Sequence, residues 1–269
     1  MRVGTALPQR TLDRSFLDVA REAEDLGYAS LSVFDHVIPL GAPDGTPVLE
    51  AFTTLAAVAA ATSTIGLRTL VARAPMRPPP MTAHLARSVR AVAGERFVLG
   101  LGTGDASSAR EDDLLGQPHL AAPQRRDALR ATVATVRTMV PGLDVWVGGM
   151  GAATRAVAFE VADGWNAWAA TPAEIVAAAA PSHVTVSWGG LVVLGATPEE
   201  ADERLASWSP GRDPAERERA LTGTADDVAA RIRALADAGV AECVVAFVGG
   251  DAAGQRRAFA RHVLPLLSS

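Results

Sequence analysis

The stretch "SLSVFDHVIP", residues 30–39, joins an apolar run to a polar pair at the point where the run ends. Residues 30–34 predict a short buried strand, and Asp35 and His36 follow it directly. A carboxylate and an imidazole at the edge of a core need hydrogen-bonding or charged partners to offset the cost of burial. The pair therefore either starts a turn or belongs to a functional site, and the ends of the other strands bear on that choice.

The same unit of apolar strand, loop and amphipathic helix recurs along all 269 residues, with no linker rich in Pro, Gly or Ser. Eight strands alternating with helices predict one α/β domain over residues 1–269, a single (β/α)8 TIM barrel. A doubly wound open sheet is the alternative. The predicted strands cover residues 2–7, 30–34, 64–72, 96–102, 143–149, 165–169, 183–195 (with a break at the glycine pair 189–190) and 242–250.

The composition narrows the class of protein. Hydrophobic residues make up 49% of the chain, enough for a sizeable core, and the net charge of −5 gives no basic surface for nucleic acid or anionic lipid. No leader peptide and no apolar run of membrane-spanning length is seen, so we expect a soluble, cytoplasmic protein. The single cysteine, Cys243, lies in a predicted strand and is expected to pack in the core.

Several residue patterns that carry chemistry are missing. The chain contains no lysine, which excludes Schiff-base chemistry and a P-loop lysine. The five histidines are scattered without an H-x-H or H-E-x-x-H pair, so no metal is expected. The G-x-S-x-G turn of many serine hydrolases is also absent.

Glycine is frequent at the carboxyl ends of the predicted strands, where a barrel of this kind carries its chemistry. In "VLGLGTGD", residues 98–105, Gly100 and Gly102 either fit the barrel interior or contact a ligand, and the third glycine of a dinucleotide motif is missing. In "VWVGGMGAATR", residues 145–155, a glycine turn leads into a helix. Its free N–H groups at residues 150–153 can hold a phosphate, although an ordinary tight turn would look the same.

Taken in order, five segments of the chain resemble the luciferase-like oxidoreductases, and within them the members that use the deazaflavin coenzyme F420. They are "GYASLSVFDHVIP", "LEAFTTLAAVAAATSTIGLRTLV", "GERFVLGLGTGD", "VWVGG…ADGWN" and "GTADDVAARIRALADAGV". The resemblance implies a (β/α)8 barrel that transfers a hydride between F420 and a small organic substrate, and a homodimer. An FMN-dependent monooxygenase and a non-catalytic coenzyme-binding paralogue are the alternatives.

The resemblance also implies roles for individual residues. His36 would act as general base or acid beside the coenzyme ring, with Asp35 and Asp105 as the other catalytic residues. A cis peptide bond without proline would support the ring at one of the bonds 69–70, 70–71 and 71–72. The coenzyme-binding residues would be Leu70, Val71, Ala72, Thr103, Gly104, Ser108, Gly148, Gly149, Met150, Gly151, Ala169, Ala170 and Thr171.

The chain also departs from the family pattern. Leu40 replaces the tryptophan of sugar-phosphate dehydrogenases in the family, which argues against that substrate. Arg155 would stand in for the lysines near the coenzyme phosphate, and Ser107 or Ser108 for an asparagine. The chain is short for the family, so a substrate-covering insertion is expected to be missing. Three residues could either line the pocket or belong to ordinary surface or core: His84, Trp165 and Trp188.

Overall fold

The computed structural model describes residues 1–9, 15–38, 47–208 and 219–267, with only the backbone described at residue 107. Its strands alternate with helices from the amino-terminal end onward, as the sequence predicts. The strands are β1 (Arg2–Ala6), β2 (Ser30–Val33), β3 (Gly66–Thr69), β4 (Ala72–Arg73), β5 (Phe97–Gly102), β6 (Val145–Gly148), β7 (Gly164–Trp168), β8 (Thr185–Leu194), β9 (Leu221–Gly223) and β10 (Glu242–Phe247).

The helices connect successive strands and cover the outside of the sheet. Within the described residues none of them is long and apolar enough to cross a membrane. The helices are α1 (Ser15–Asp25), α2 (Ala51–Ala61), α3 (Pro79–Ala93), α4 (Ala109–Leu114), α5 (Ala122–Met139), α6 (Ala152–Val161), α7 (Pro172–Ala178), α8 (Pro198–Trp208), α9 (Ala225–Asp237), α10 (Ala252–His262) and α11 (Leu264–Leu267).

Eight parallel strands close into a barrel. In order around the barrel they are β1, β2, β3, β5, β6, β7, β8 and β10, and β10 closes it by pairing with both β8 and β1. The short strands β4 and β9 add to β5 and β8. The predicted (β/α)8 barrel is therefore confirmed, and the open sheet is excluded.

The predicted core residues lie where apolar packing requires them. Cys243 is fully buried in β10, where its Cα is paired with Val3 on one side and Trp188 on the other. Burial raises the pKa of the Cys243 thiol to about 12, so it stays protonated at neutral pH. Trp165 and Trp188 are buried in the core, whereas His84 lies exposed on α3.

Three details of the strands differ from the prediction. The third predicted strand is divided, because β3 ends at Thr69 and the chain re-enters the sheet only at Ala72. The seventh strand has no break, since Gly189 and Gly190 both pair in register with β10. Strand β9 was not predicted, because its three residues are too few to show an apolar period.

Candidate active site

Asp35 lies just past the end of β2 and is held by two arginines. Its carboxylate accepts hydrogen bonds from the guanidinium of Arg77 at 2.7 and 2.8 Å and from the backbone N–H of Arg73 at 3.0 Å. Arg77 also donates to Glu50 at 2.9 Å. Because Asp35 is buried and both of its oxygens accept hydrogen bonds, its side chain is held in one position and ties the end of β2 to the segment before α3.

His36 has a different partner from its neighbour. Its Nδ1 lies 3.3 Å from both carboxylate oxygens of Glu111 on α4, and its side chain is 28% exposed. Glu111 also accepts the backbone N–H groups of Val37 at 2.6 Å and Ile38 at 3.0 Å. The structure thus places His36 in a pair with Glu111, which the sequence reasoning did not identify.

The charge of Glu111 follows from its surroundings. Burial raises its pKa, but hydrogen bonds and the charge of His36, together with the N–H groups of Ile38 and Val37, outweigh burial and lower it to about 2. Glu111 is therefore an ionised carboxylate at neutral pH and can only accept hydrogen bonds.

Arg73, in β4, connects the Asp35 end of the site to α4. Its guanidinium is buried and donates a hydrogen bond to the carbonyl of Ser108 at 3.1 Å. It forms an ion pair with Asp112 Oδ1 at 2.9 Å and lies 3.8 Å from Glu111 Oε2. The backbone N–H of the same residue bonds Asp35. One arginine therefore fixes both loops that carry the His36 cluster.

The acidic loop after β5 lies against Arg73. Asp105 is exposed, and its backbone N–H donates to Ser108 Oγ at 3.2 Å. Gly104 has φ +66°, and a Cβ there would meet Arg73 Cδ at 2.7 Å, which explains the need for glycine. Thr103 Oγ1 donates to the carbonyl of Gly104 at 3.0 Å. The roles predicted for these residues, including Asp105, stay predictions. Leu40 and the side chain of Ser107 lie outside the described residues.

Val71 lies between β3 and β4 at the carboxyl end of the barrel. The Leu70–Val71 peptide bond is cis, which confirms the predicted cis bond. A Cβ on Gly102 would lie 2.5 Å from Val71 Cγ2, and one on Gly148 would lie 2.9 Å from Val71 Cγ1. A Cβ on Gly100 would collide first with the backbone carbonyl oxygen of Thr69, and it would lie 3.2 Å from Val71 Cγ1. Gly100 and Gly102 therefore both serve packing: Gly100 makes room for the backbone of Thr69, and Gly102 makes room for Val71. Leu70 and Ala72 beside Val71 are buried.

We predict that Gly102→Ala lowers the free energy of unfolding by about 1–3 kcal/mol, the usual cost of overpacking. The added methyl group would displace Val71. Urea denaturation of Gly102→Ala, Val71→Ala and the double variant tests this contact, because removal of the valine methyls should make the double variant less costly than the sum of the two. Strict additivity would show that the two side chains do not compete for space.

Two core tryptophans hold the loops predicted to bind the coenzyme. The indole N–H of Trp165 donates to the carbonyl of Gly149 at 2.9 Å, and that of Trp188 donates to Ala170 at 3.0 Å. Gly149 has φ +144°, and Ala169 has φ +53°. From the core, the two tryptophans thus fix the turn before α6 and the loop before α7. The sequence pattern did not show this role.

Thr171 caps the helix that borders this loop. Its Oγ1 accepts the backbone N–H of Glu174 at 3.2 Å at the start of α7, and its own N–H donates to the carboxylate of Glu174 at 2.8 Å. Glu174 also receives two hydrogen bonds of 2.8 Å from Arg219. The bonds from Arg219 and Thr171 lower the pKa of Glu174 to about 2. The Thr171 hydroxyl therefore serves as the N-cap of α7.

A cavity of about 540 Å³ lies between the two loops. Two of the predicted coenzyme-binding residues, Met150 and Ala169, line it together with Arg155. Two arginines against one glutamate give the cavity walls a net positive charge, which suits an anionic group. The lining residues are Met150, Arg155, Trp168, Ala169, Glu174, Ala177, Ala178, Leu191, Arg219 and Ala220.

The (β/α)8 barrel has fixed ionic groups, an imidazole and a cavity at the carboxyl ends of its strands, where enzymes with this fold carry their active sites. The chain belongs to the luciferase-like monooxygenase family, whose sequence profile matches residues 2–249. Among the residues that the structure describes, no three His, Cys, Asp or Glu side chains are grouped as metal ligands.

Comparisons with known proteins agree on the fold. The barrel resembles an F420-dependent secondary alcohol dehydrogenase in complex with an F420–acetone adduct, with a TM-score of 0.84, 18% identity and coverage of 99% of this chain and 98% of that one. It also resembles riboflavin lyase with modified FMN and riboflavin, with a TM-score of 0.74, 16% identity and coverage of 100% and 91%. At these identities the similarity shows the fold alone.

Closer similarity in sequence is found over a shorter stretch. A protein of Mycobacterium tuberculosis H37Rv, Rv0940c, is 32% identical over 128 residues, and the match covers 42% of this chain and 43% of that protein. The chain thus matches less than half the length of this relative.

Proposed function

We propose that this protein is an F420-dependent oxidoreductase that transfers a hydride between the deazaflavin and a small organic substrate. The observation that carries the proposal is the position of His36, which is partly exposed and held by an ionised carboxylate at the carboxyl end of the barrel. The resemblance of five sequence segments to the F420-using members supports the choice of coenzyme.

The residues around the cavity fit a phosphorylated, ring-bearing coenzyme. Its volume of about 540 Å³ is in the range of ordinary ligand pockets, and Arg155 lines it beside the turn at Gly149. The arginine and the N–H groups at the start of α6 would hold the phosphate, and Val71 would lie against the ring. When bound, the deazaflavin supplies a carbon that accepts or gives a hydride.

The protein's own residues would handle the proton. His36 takes the proton of a substrate hydroxyl in the oxidising direction and returns it in the reducing direction. Asp35, with both oxygens bonded by Arg77, holds the chain at the end of β2 and so keeps His36 in place.

The resemblance further implies that the protein forms a homodimer. Light scattering coupled to size-exclusion chromatography would measure the mass of the assembly.

The coenzyme is tested by fluorescence titration of the purified protein with F420, FMN and NADPH. We expect F420 to bind most tightly and NADPH to bind little. Preference for FMN would assign the protein as an FMN-dependent monooxygenase, and binding of neither would favour a paralogue without coenzyme.

The variant Arg155→Met should weaken F420 binding by about tenfold, because a charged hydrogen bond is lost. The same variant should bind the phosphate-free deazaflavin chromophore as the wild type does.

A further inference from the structure

The pair formed by His36 and Glu111 constrains which nitrogen of the imidazole carries the proton. Glu111 approaches Nδ1 with both of its oxygens at 3.3 Å, and its side chain is only 6% exposed. An ionised carboxylate has no proton to donate, so Nδ1 must be the donor. In the neutral imidazole the proton then sits on Nδ1, and Nε2 is left bare as a base.

Glu111 is itself fixed on several sides. The backbone N–H groups of Val37 and Ile38, the two residues after His36, donate to Oε1 at 2.6 and 3.0 Å. Arg73 lies 3.8 Å from Oε2. The carboxylate therefore holds the imidazole and the backbone that follows it as one unit, and its own position is set by α4 and β4.

We propose that Glu111 is a positioning residue that selects the Nδ1–H tautomer of His36 and so presents Nε2 as the proton acceptor for the substrate. This inference rests on the proposed function for its catalytic consequence. The tautomer itself is a property of the protein without coenzyme or substrate, and can be observed separately.

The first measurement is the ¹⁵N NMR spectrum of protein labelled on the histidine rings, without coenzyme and at a pH where imidazoles are neutral. Protonated and bare ring nitrogens resonate in separate ranges, and loss of one set of signals in His36→Gln assigns them. We expect His36 to carry its proton on Nδ1. A His36 that carries it on Nε2 would overturn the proposal whether or not the Glu111 variant described next folds.

The second measurement uses Glu111→Gln, which keeps the size of the side chain. Its carbonyl can still accept from Val37 and Ile38, which turns the NH₂ group toward His36 Nδ1 and removes the preference for the Nδ1–H form. We expect that preference to be lost and kcat to fall by about 10- to 100-fold, with coenzyme affinity within about twofold of the wild type. Unchanged spectra and unchanged kcat in this variant would contradict the proposal.

The matched control is Asp113→Asn, the same change from acid to amide at an exposed position on the same helix. It should leave both the His36 spectrum and kcat unchanged, and an equal loss in this control would mean that the effect comes from the charge of α4 in general. Failure of the proposed function would appear as a lack of turnover in the wild type. The spectra would still decide the role of Glu111 in that case.

Discussion

Replacing His36 with alanine is expected to lower turnover by about 10²–10⁴-fold, the usual contribution of a general acid or base. Coenzyme affinity should change little. Within the part of the chain that the structure describes, His36 is not one of the residues lining the cavity that we assign to the coenzyme phosphate. Steady-state kinetics with a saturating alcohol or carbonyl substrate would give kcat, and fluorescence titration would give the coenzyme affinity separately.

The control for this prediction is His84→Ala. His84 is exposed on α3 and contacts Arg87 at 3.1 Å, so its loss removes an imidazole from the surface alone. Turnover should stay at the wild-type level in this variant. If His36→Ala behaves in the same way, Asp35 and His36 merely begin a turn, and the proton must be handled by another group.

The largest loss of stability is expected for Glu242→Ala, at about 3–5 kcal/mol. Glu242 is 1% exposed near the amino-terminal end of the barrel, where it accepts hydrogen bonds from the hydroxyl of Ser30 and from Arg68. It also pairs with Arg2 at 2.8 Å. Arg68 is itself buried, so removal of the carboxylate leaves a guanidinium without its counter-charge inside the protein.

Urea denaturation of Glu242→Ala and of Glu95→Ala would measure this difference. Glu95 pairs with Arg90 at 2.5 Å, but its side chain is 85% exposed, so its loss should cost less than about 1 kcal/mol. Should Glu242→Ala not fold, the double variant Arg68→Met, Glu242→Met removes both charges and is expected to fold. Equal losses at the buried and the exposed glutamate would show that burial does not strengthen the pair.

The barrel could be predicted because each strand carries its own signal. Residues 30–34 and 242–247 are apolar runs with turns at both ends, and parallel strands buried on both faces need no other pattern. The division between β3 and β4 could not be read in the same way. Residues 70–72, which span the cis bond, are all apolar, so the sequence reads as a continuous strand while the backbone leaves the sheet.

The partners of the site residues could not be predicted for a related reason. His36 and Glu111 are 75 positions apart, and the sequence shows an Asp beside the His but no sign that the two side chains turn to different partners. Arg73 and Arg77 look like ordinary loop arginines until the fold brings Asp35 to them. Residue type and spacing identify candidate groups, whereas the pairing of charges depends on side-chain directions set by packing.

The contact between Val71 and the glycines at 102 and 148 has a consequence for how related sequences can diverge. The valine methyls occupy the space that a side chain at residue 102 or 148 would need. A lineage that acquires a larger residue at either of these glycines must therefore also acquire a smaller residue at position 71. These three positions, spread over 78 residues of chain (71 to 148), should change together during evolution, as a single site of fixed volume.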